Sequence, residues 1–150
     1  MLRITIHELD KMLRQLRPQI CEVIEKTEFE DCDNLFTLKD SEKINNPDEF
    51  QLIEEYTDAL SHLCNAYQIL DYLHRPISEE STLFLNSNGN FECSFHTFHC
   101  GDRIEFYIYD VEYESYKWCI SRVEHDGEKY YIVHHRNVDM NGLRVRNRKR

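Results

Sequence analysis

The sequence predicts an α+β fold, an N-terminal antiparallel helical hairpin followed by a small antiparallel β-barrel. Three observations predict it. Apolar residues recur at three–four spacing as far as His74, then switch to alternation from Thr82. Asp126-Gly127 separates two β-rich runs, 116–125 and 130–133. The charge is lopsided: the 150 residues sum to −10, with 18 acids against 8 Lys and Arg in residues 1–81 and 10 of each in residues 82–150. The expected division is an acidic helical region, 1–78, and a small barrel domain, 82–147.

Thr5-Ile-His-Glu8 fits a capping box, in which hydroxyl and carboxylate each take a free backbone N–H, and it starts the first helix. Leu2, Ile6, Leu9, Leu13, Leu16, Ile20 and Val23 follow as one apolar seam. Pro18 lies inside it, lacks the N–H of the helical ladder and predicts a kink near Arg17. Residues 28–46 read as a long acidic connection with an apolar island at Leu35-Phe36-Thr-Leu38. Asn46-Pro47-Asp48-Glu49 starts the second helix: Asn46 caps, Pro47 suits the first position, and the acids meet the positive end of the dipole. Phe50, Ile53, Thr57, Leu60, Cys64, Tyr67 and Leu70 carry its seam to Arg75-Pro76. Neither seam is covered by one helix alone, so the barrel or a second copy of the chain is the expected cover, the latter giving a homodimer.

From Thr82 the period is two. Residues 82–86 and 91–95 form a hairpin around Ser87-Asn-Gly-Asn90. Residues 103–109 form a strand with Ile104, Phe106 and Ile108 on one face, and 110–115 an acidic turn. The central hairpin needs positive φ at its tip, which Asp126-Gly127 supplies in a type I′ turn. Ile120 and Val123 cannot share a face at strict alternation, which predicts a bulge near Ser121-Arg122. Asn141-Gly142 then turns the chain into a closing strand with Leu143 and Val145 inward. Short strands with tight turns suggest an SH3-like barrel.

The chain begins without a basic-then-apolar leader and has no apolar run long enough to span a bilayer, so a cytoplasmic protein with no membrane partner is expected. Its six cysteines read as reduced. Cys93, His96, His99 and Cys100 have the ligand types zinc prefers but match no standard finger spacing, and on a strand Cys93 and His96 point apart. They are expected to be ordinary strand and loop residues, with no metal and no cofactor. His125, His134 and His135 with Lys129 are the residue types for acid–base cleavage of a phosphodiester, but no nucleophile, P-loop or carboxylate–metal motif accompanies them. No catalytic residue is assigned.

Residues 28–58 hold 11 acids against Lys39 and Lys43. Carboxylates spaced along a rod resemble a nucleic-acid backbone and can occupy a basic groove; the candidates are Glu28, Glu30, Asp31, Asp33, Asp48, Glu49, Glu54, Glu55 and Asp58. At the other end Arg144, Arg146, Arg148, Lys149 and Arg150 form a basic tail, read either as a frayed terminus or as phosphate contacts. Aromatics beside arginines on a barrel face would suit single strands.

Residues 82–92, Cys100-Gly-Asp-Arg-Ile-Glu105, 118–133 and Gly142-Leu-Arg-Val-Arg146 resemble a small family of domains of unknown function from mobile elements of Gram-positive bacteria. The resemblance implies no chemistry. In size and charge the chain is similar to the anti-CRISPR and anti-restriction inhibitors that such elements carry. The expected function is therefore a non-enzymatic inhibitor binding a nucleic-acid-handling defence enzyme, such as a Cas9-type nuclease with a basic channel, by phosphate mimicry. The alternatives are a nucleic-acid-binding module using the barrel and basic tail, and a histidine- or metal-dependent nuclease.

Overall fold

A computed structural model describes residues 3–27 and 46–150. They fall in two compact units, Met1–Arg75 and Pro76–Arg150. Residues 28–45 of the acidic connection, with Glu28, Glu30, Asp31 and Asp33, and Leu2 of the first seam lie outside the described residues.

The first unit contains α1 (Ile6–Thr27) and α2 (Pro47–Leu73). The capping box forms: the Glu8 N–H donates to the Thr5 hydroxyl at 3.2 Å and the Thr5 N–H to the Glu8 carboxylate at 2.6 Å. Those Thr5 hydrogen bonds, the backbone one first, hold the Glu8 carboxyl below its ordinary value. Asn46 caps α2 by accepting the Glu49 N–H at 2.9 Å. Pro18 sits inside an unbroken α1. The helices touch through Cys21 with Tyr67, Arg17 with Asp71 at 3.9 Å and Asp10 with His74 at 3.7 Å. Numbers fall along α2 as they rise along α1, so the contacting stretches run in opposite senses. Ile20 and Leu70 are buried, while Leu9, Leu16 and Val23 of the expected seam stay over a third exposed.

His74 caps α2 with its side chain only 5 % exposed and its Nδ1 without a partner. Burial first, then the nearby Arg14 and Arg17, pulls its pKa below 6.5 against the opposing pull of Asp10 and Asp71. The unfolded chain therefore binds the proton more readily than the folded one. Stability should be full above about pH 6.5 and fall as the pH drops from there to the folded pKa, below which the loss levels off. Helical circular dichroism on melting at several pH values checks this. A His74→Phe chain, which fills the site without titrating, should lose that step, and an unchanged step would place its origin elsewhere.

The second unit contains β1 (Ile77–Thr82), β2 (Phe84–Leu85), β3 (Phe91–Glu92), β4 (Arg103–Asp110), β5 (Ser115–His125), β6 (Tyr130–Ile132) and β7 (Arg144–Arg148). Five of them form one sheet in the order β1-β7-β4-β5-β6, antiparallel at every pairing, and β2 pairs with β3 alone. This corrects the barrel expectation. β7 is an interior strand between β1 and β4 and closes nothing, and the sheet is open, with β1 and β6 at its edges. β1 is a Ser/Glu-rich edge strand without apolar alternation, held by its ladder to β7.

One face carries the core: Leu83, Phe98, Ile104, Phe106, Val123, Ile132, Met140, Leu143 and Val145. Two local expectations also change. The β4–β5 register runs unbroken from Arg103↔Arg122 to Asp110↔Ser115, so there is no bulge there. Strict alternation puts Cys119, Ser121 and Val123 toward the core and leaves Ile120 42 % exposed on the other face. The central turn is a four-residue loop, 126–129, between the pair His125↔Tyr130. Asp126 spans it by accepting the N–H groups of Glu128 and Lys129 at 3.0 and 2.9 Å, and Gly127 alone takes positive φ, at 96°.

Candidate functional site

The face of the sheet opposite the core is built by alternation from β1, β4, β5 and β7. On β4 Arg103, Glu105, Tyr107 and Tyr109 point to it. Their partners on β5 are Arg122, Ile120, Trp118 and Tyr116 in register. β7 adds Arg144, Arg146 and Arg148, since Glu105 pairs with Arg146. β1 adds Glu80 opposite Arg146 and Thr82 opposite Arg144.

The four aromatic rings form one ladder. Tyr107 stacks on Tyr116 with centroids 5.2 Å apart and planes 12° from parallel. Tyr109 meets Tyr116 edge-on at 5.2 Å, and Tyr107 meets Trp118 tilted at 5.0 Å. Tyr116 is 60 % exposed and Tyr109 50 %. Arginines flank the ladder: the Arg146 guanidinium lies 4.2 Å from the Trp118 ring centroid, and Arg144 lies 5.0 Å from Tyr107 and 5.5 Å from Trp118.

The arginines divide into two kinds. Arg146 and Arg148 are sealed onto Glu105, a carboxylate whose side chain is 1 % exposed. Arg146 Nε donates to it at 2.7 Å, and Arg148 donates from Nε and Nη2 at 3.0 Å each. Buried between Ile104 and Phe106 in sequence, Glu105 is tolerated there because two guanidinium groups neutralise it. Arg144 is different. It is half-exposed and its partner, Glu80, is exposed as well. Arg122 pairs with Glu124 at 2.8 Å. The basic run at the C-terminus is therefore mostly β7 and not a frayed tail. Its outward arginines alternate with Val145 and Asn147, and the Lys149 N–H donates to the Pro76 carbonyl at 2.9 Å.

The acidic candidates that are described, Asp48, Glu49, Glu54, Glu55 and Asp58, are all exposed on α2, a helix with six acids and no Lys or Arg. Asp48, Glu54, Glu55 and Asp58 share roughly a third of the helix circumference at 100° per residue. Asp58 meets His62 at 3.5 Å.

The cysteine–histidine group is not brought together as a ligand set. The Cys93 thiol donates to the His96 carbonyl, and the Cys100 thiol donates to Glu124 at 2.7 Å. His96 Nε2 lies 2.9 Å from Asp102 and His99 Nδ1 3.7 Å from the same carboxylate. Burial pushes the Asp102 carboxyl up, but the His99 N–H and the two imidazoles outweigh it and hold the pKa below its ordinary value. Among the described residues no group of three or more His, Cys, Asp or Glu is arranged to hold a metal ion. Two of the candidate acid–base histidines are held apart from this group. His125 Nδ1 accepts the Gly127 N–H and its ring meets Tyr130 edge-on, while His135 packs edge-on against Phe106.

The second unit is thus a small antiparallel-sheet domain with one apolar face and one aromatic–arginine face. Residues 81–147, a little under half of the chain, match the family model described as Domain of unknown function (DUF5348). The match runs from the end of β1 through most of β7. No curated protein and no solved structure matches the chain. Among the described residues no helix is long and apolar enough to cross a membrane.

Proposed function

We propose that this chain is a non-enzymatic nucleic-acid-binding protein that takes an extended single strand on the outer face of its sheet. One observation carries the reading: the ladder Tyr109–Tyr116–Tyr107–Trp118, with Tyr109 and Tyr116 open to solvent and Arg144 at its border. Each exposed ring offers a stacking platform for a base, and any base has a π-face, so the site would tolerate many sequences. A duplex keeps its bases stacked on one another and would leave the ladder unused. Trp118 is the only tryptophan, so it reports directly. Titration with a single-stranded oligonucleotide should quench its fluorescence, and the same sequence as a duplex should compete poorly. Equal competition by duplex, or no quenching at all, would remove the reading.

A second reading has its own observation, the exposed acid stripe of α2 with no Lys or Arg on the helix. In it the chain is a cytoplasmic inhibitor from a mobile element, its two helices closed into a hairpin. The stripe stands in for phosphates in the basic channel of a defence enzyme such as a Cas9-type nuclease. Reversing Glu54, Glu55 and Asp58 to Lys should abolish capture of such an enzyme after nuclease digestion, and added salt should weaken capture by the parent chain. Capture that survives the triple reversal counts against the mimicry.

A further inference from the structure

Resting on the reading of the sheet as a single-strand surface, we propose that Arg144 is its phosphate seat and that Glu80 occupies that seat in the free protein as a built-in competitor. The outward arginines are not equivalent. Arg146 and Arg148 are clamped to the buried Glu105 and have little freedom to turn to a ligand. Arg144 keeps its guanidinium beside the rings of Tyr107 and Trp118, where a backbone phosphate would lie if a neighbouring base stacked on Tyr116. A guanidinium presents a planar fork that suits carboxylate and phosphate alike.

In the free protein that fork is taken. Arg144 donates from Nε at 3.1 Å and from Nη2 at 2.5 Å to one oxygen of Glu80. Unlike Glu105, Glu80 is exposed and stands on the edge strand β1, and among the described residues Arg144 is the arginine it pairs with. A phosphate can displace it into water at the small cost of an exposed ion pair. A carboxylate left beside the bound phosphate then repels it. Glu80 would thus set a threshold: a strand that stacks bases while placing a phosphate on Arg144 wins the seat, and a free anion without bases does not.

The experiment is fluorescence anisotropy of a labelled oligothymidylate of about ten nucleotides. It uses the full chain, Glu80→Gln, Arg144→Gln and the double variant, at low and high salt. Glu80→Gln should bind about fivefold more tightly at low salt, the upper value for releasing one exposed ion pair. Arg144→Gln should bind more weakly, and in its background Glu80→Gln should bring no gain, because the two residues act on one seat. Equal affinity of the parent and Glu80→Gln, with stacking on the tyrosines intact, overturns the competitor while leaving the single-strand reading standing. A gain from Glu80→Gln that persists without Arg144 also overturns it, since Glu80 would then act only as diffuse negative charge. Failure of every variant to bind overturns both.

Discussion

Glu105→Ala should lower the stability of the sheet unit by about 3–5 kcal/mol, the typical loss when one partner of a buried ion pair is removed. The side chain is 1 % exposed, and those of Arg146 and Arg148 are 14 % and 11 % exposed. Truncation would take from two guanidinium groups, both largely out of water, the carboxylate that lies between them. The cost comes from the buried carboxylate contact that those charges lose more than from the intact triad's net contribution. Accordingly, Glu105→Gln, which keeps the shape and loses the charge, should recover little. Replacing all three residues by apolar side chains of similar volume should recover much of the loss. Denaturant unfolding followed by Trp118 emission checks this within the sheet unit, because Trp118 lies in β5. A loss below about 1 kcal/mol would mean that water reaches the triad and that it behaves as a surface pair.

Replacing Tyr109 and Tyr116 together by Ala should weaken single-strand binding at least about 30-fold, from roughly 1–3 kcal/mol per stacked base at two platforms. These two rings are the most exposed of the ladder, so stability should change little, and unfolding of the variant by Trp118 emission guards against confusing the two effects. The pattern across salt distinguishes stacking from charge. Loss of a ring should lower affinity by the same factor at low and high salt, whereas loss of Arg144 should flatten the salt slope. An affinity unchanged in the double tyrosine variant would leave the face as a bare sheet surface.

Much of this architecture was legible in the sequence where side-chain period and end signals agreed. Asn46-Pro47 and the seam from Phe50 to Leu70 located α2, and Ile104, Phe106 and Ile108 gave the inward face of β4. The barrel misled because β1 has no apolar alternation: Ile77-Ser-Glu-Glu-Ser-Thr82 is a strand only because β7 offers it a ladder, a non-local cause. No bulge is needed, because Ile120 and Val123 do not share a face: the register leaves Ile120 on the aromatic one. The site was half visible. Arginines at alternate positions 144, 146 and 148 are a strand signature, and Glu105 between two buried apolar residues asked for a cation. That these belong to one cluster depends on β4 and β7 being neighbours, which no local pattern encodes.

The position of β1 has a practical consequence for anyone cutting the chain. A fragment beginning at residue 81, where the family match starts, would lose most of that strand. The backbone groups of β7 that it satisfies would then face water along a row open to any extended chain, an invitation to strand exchange and aggregation. Starting instead at Pro76 keeps the row covered and retains the carbonyl that receives the Lys149 N–H.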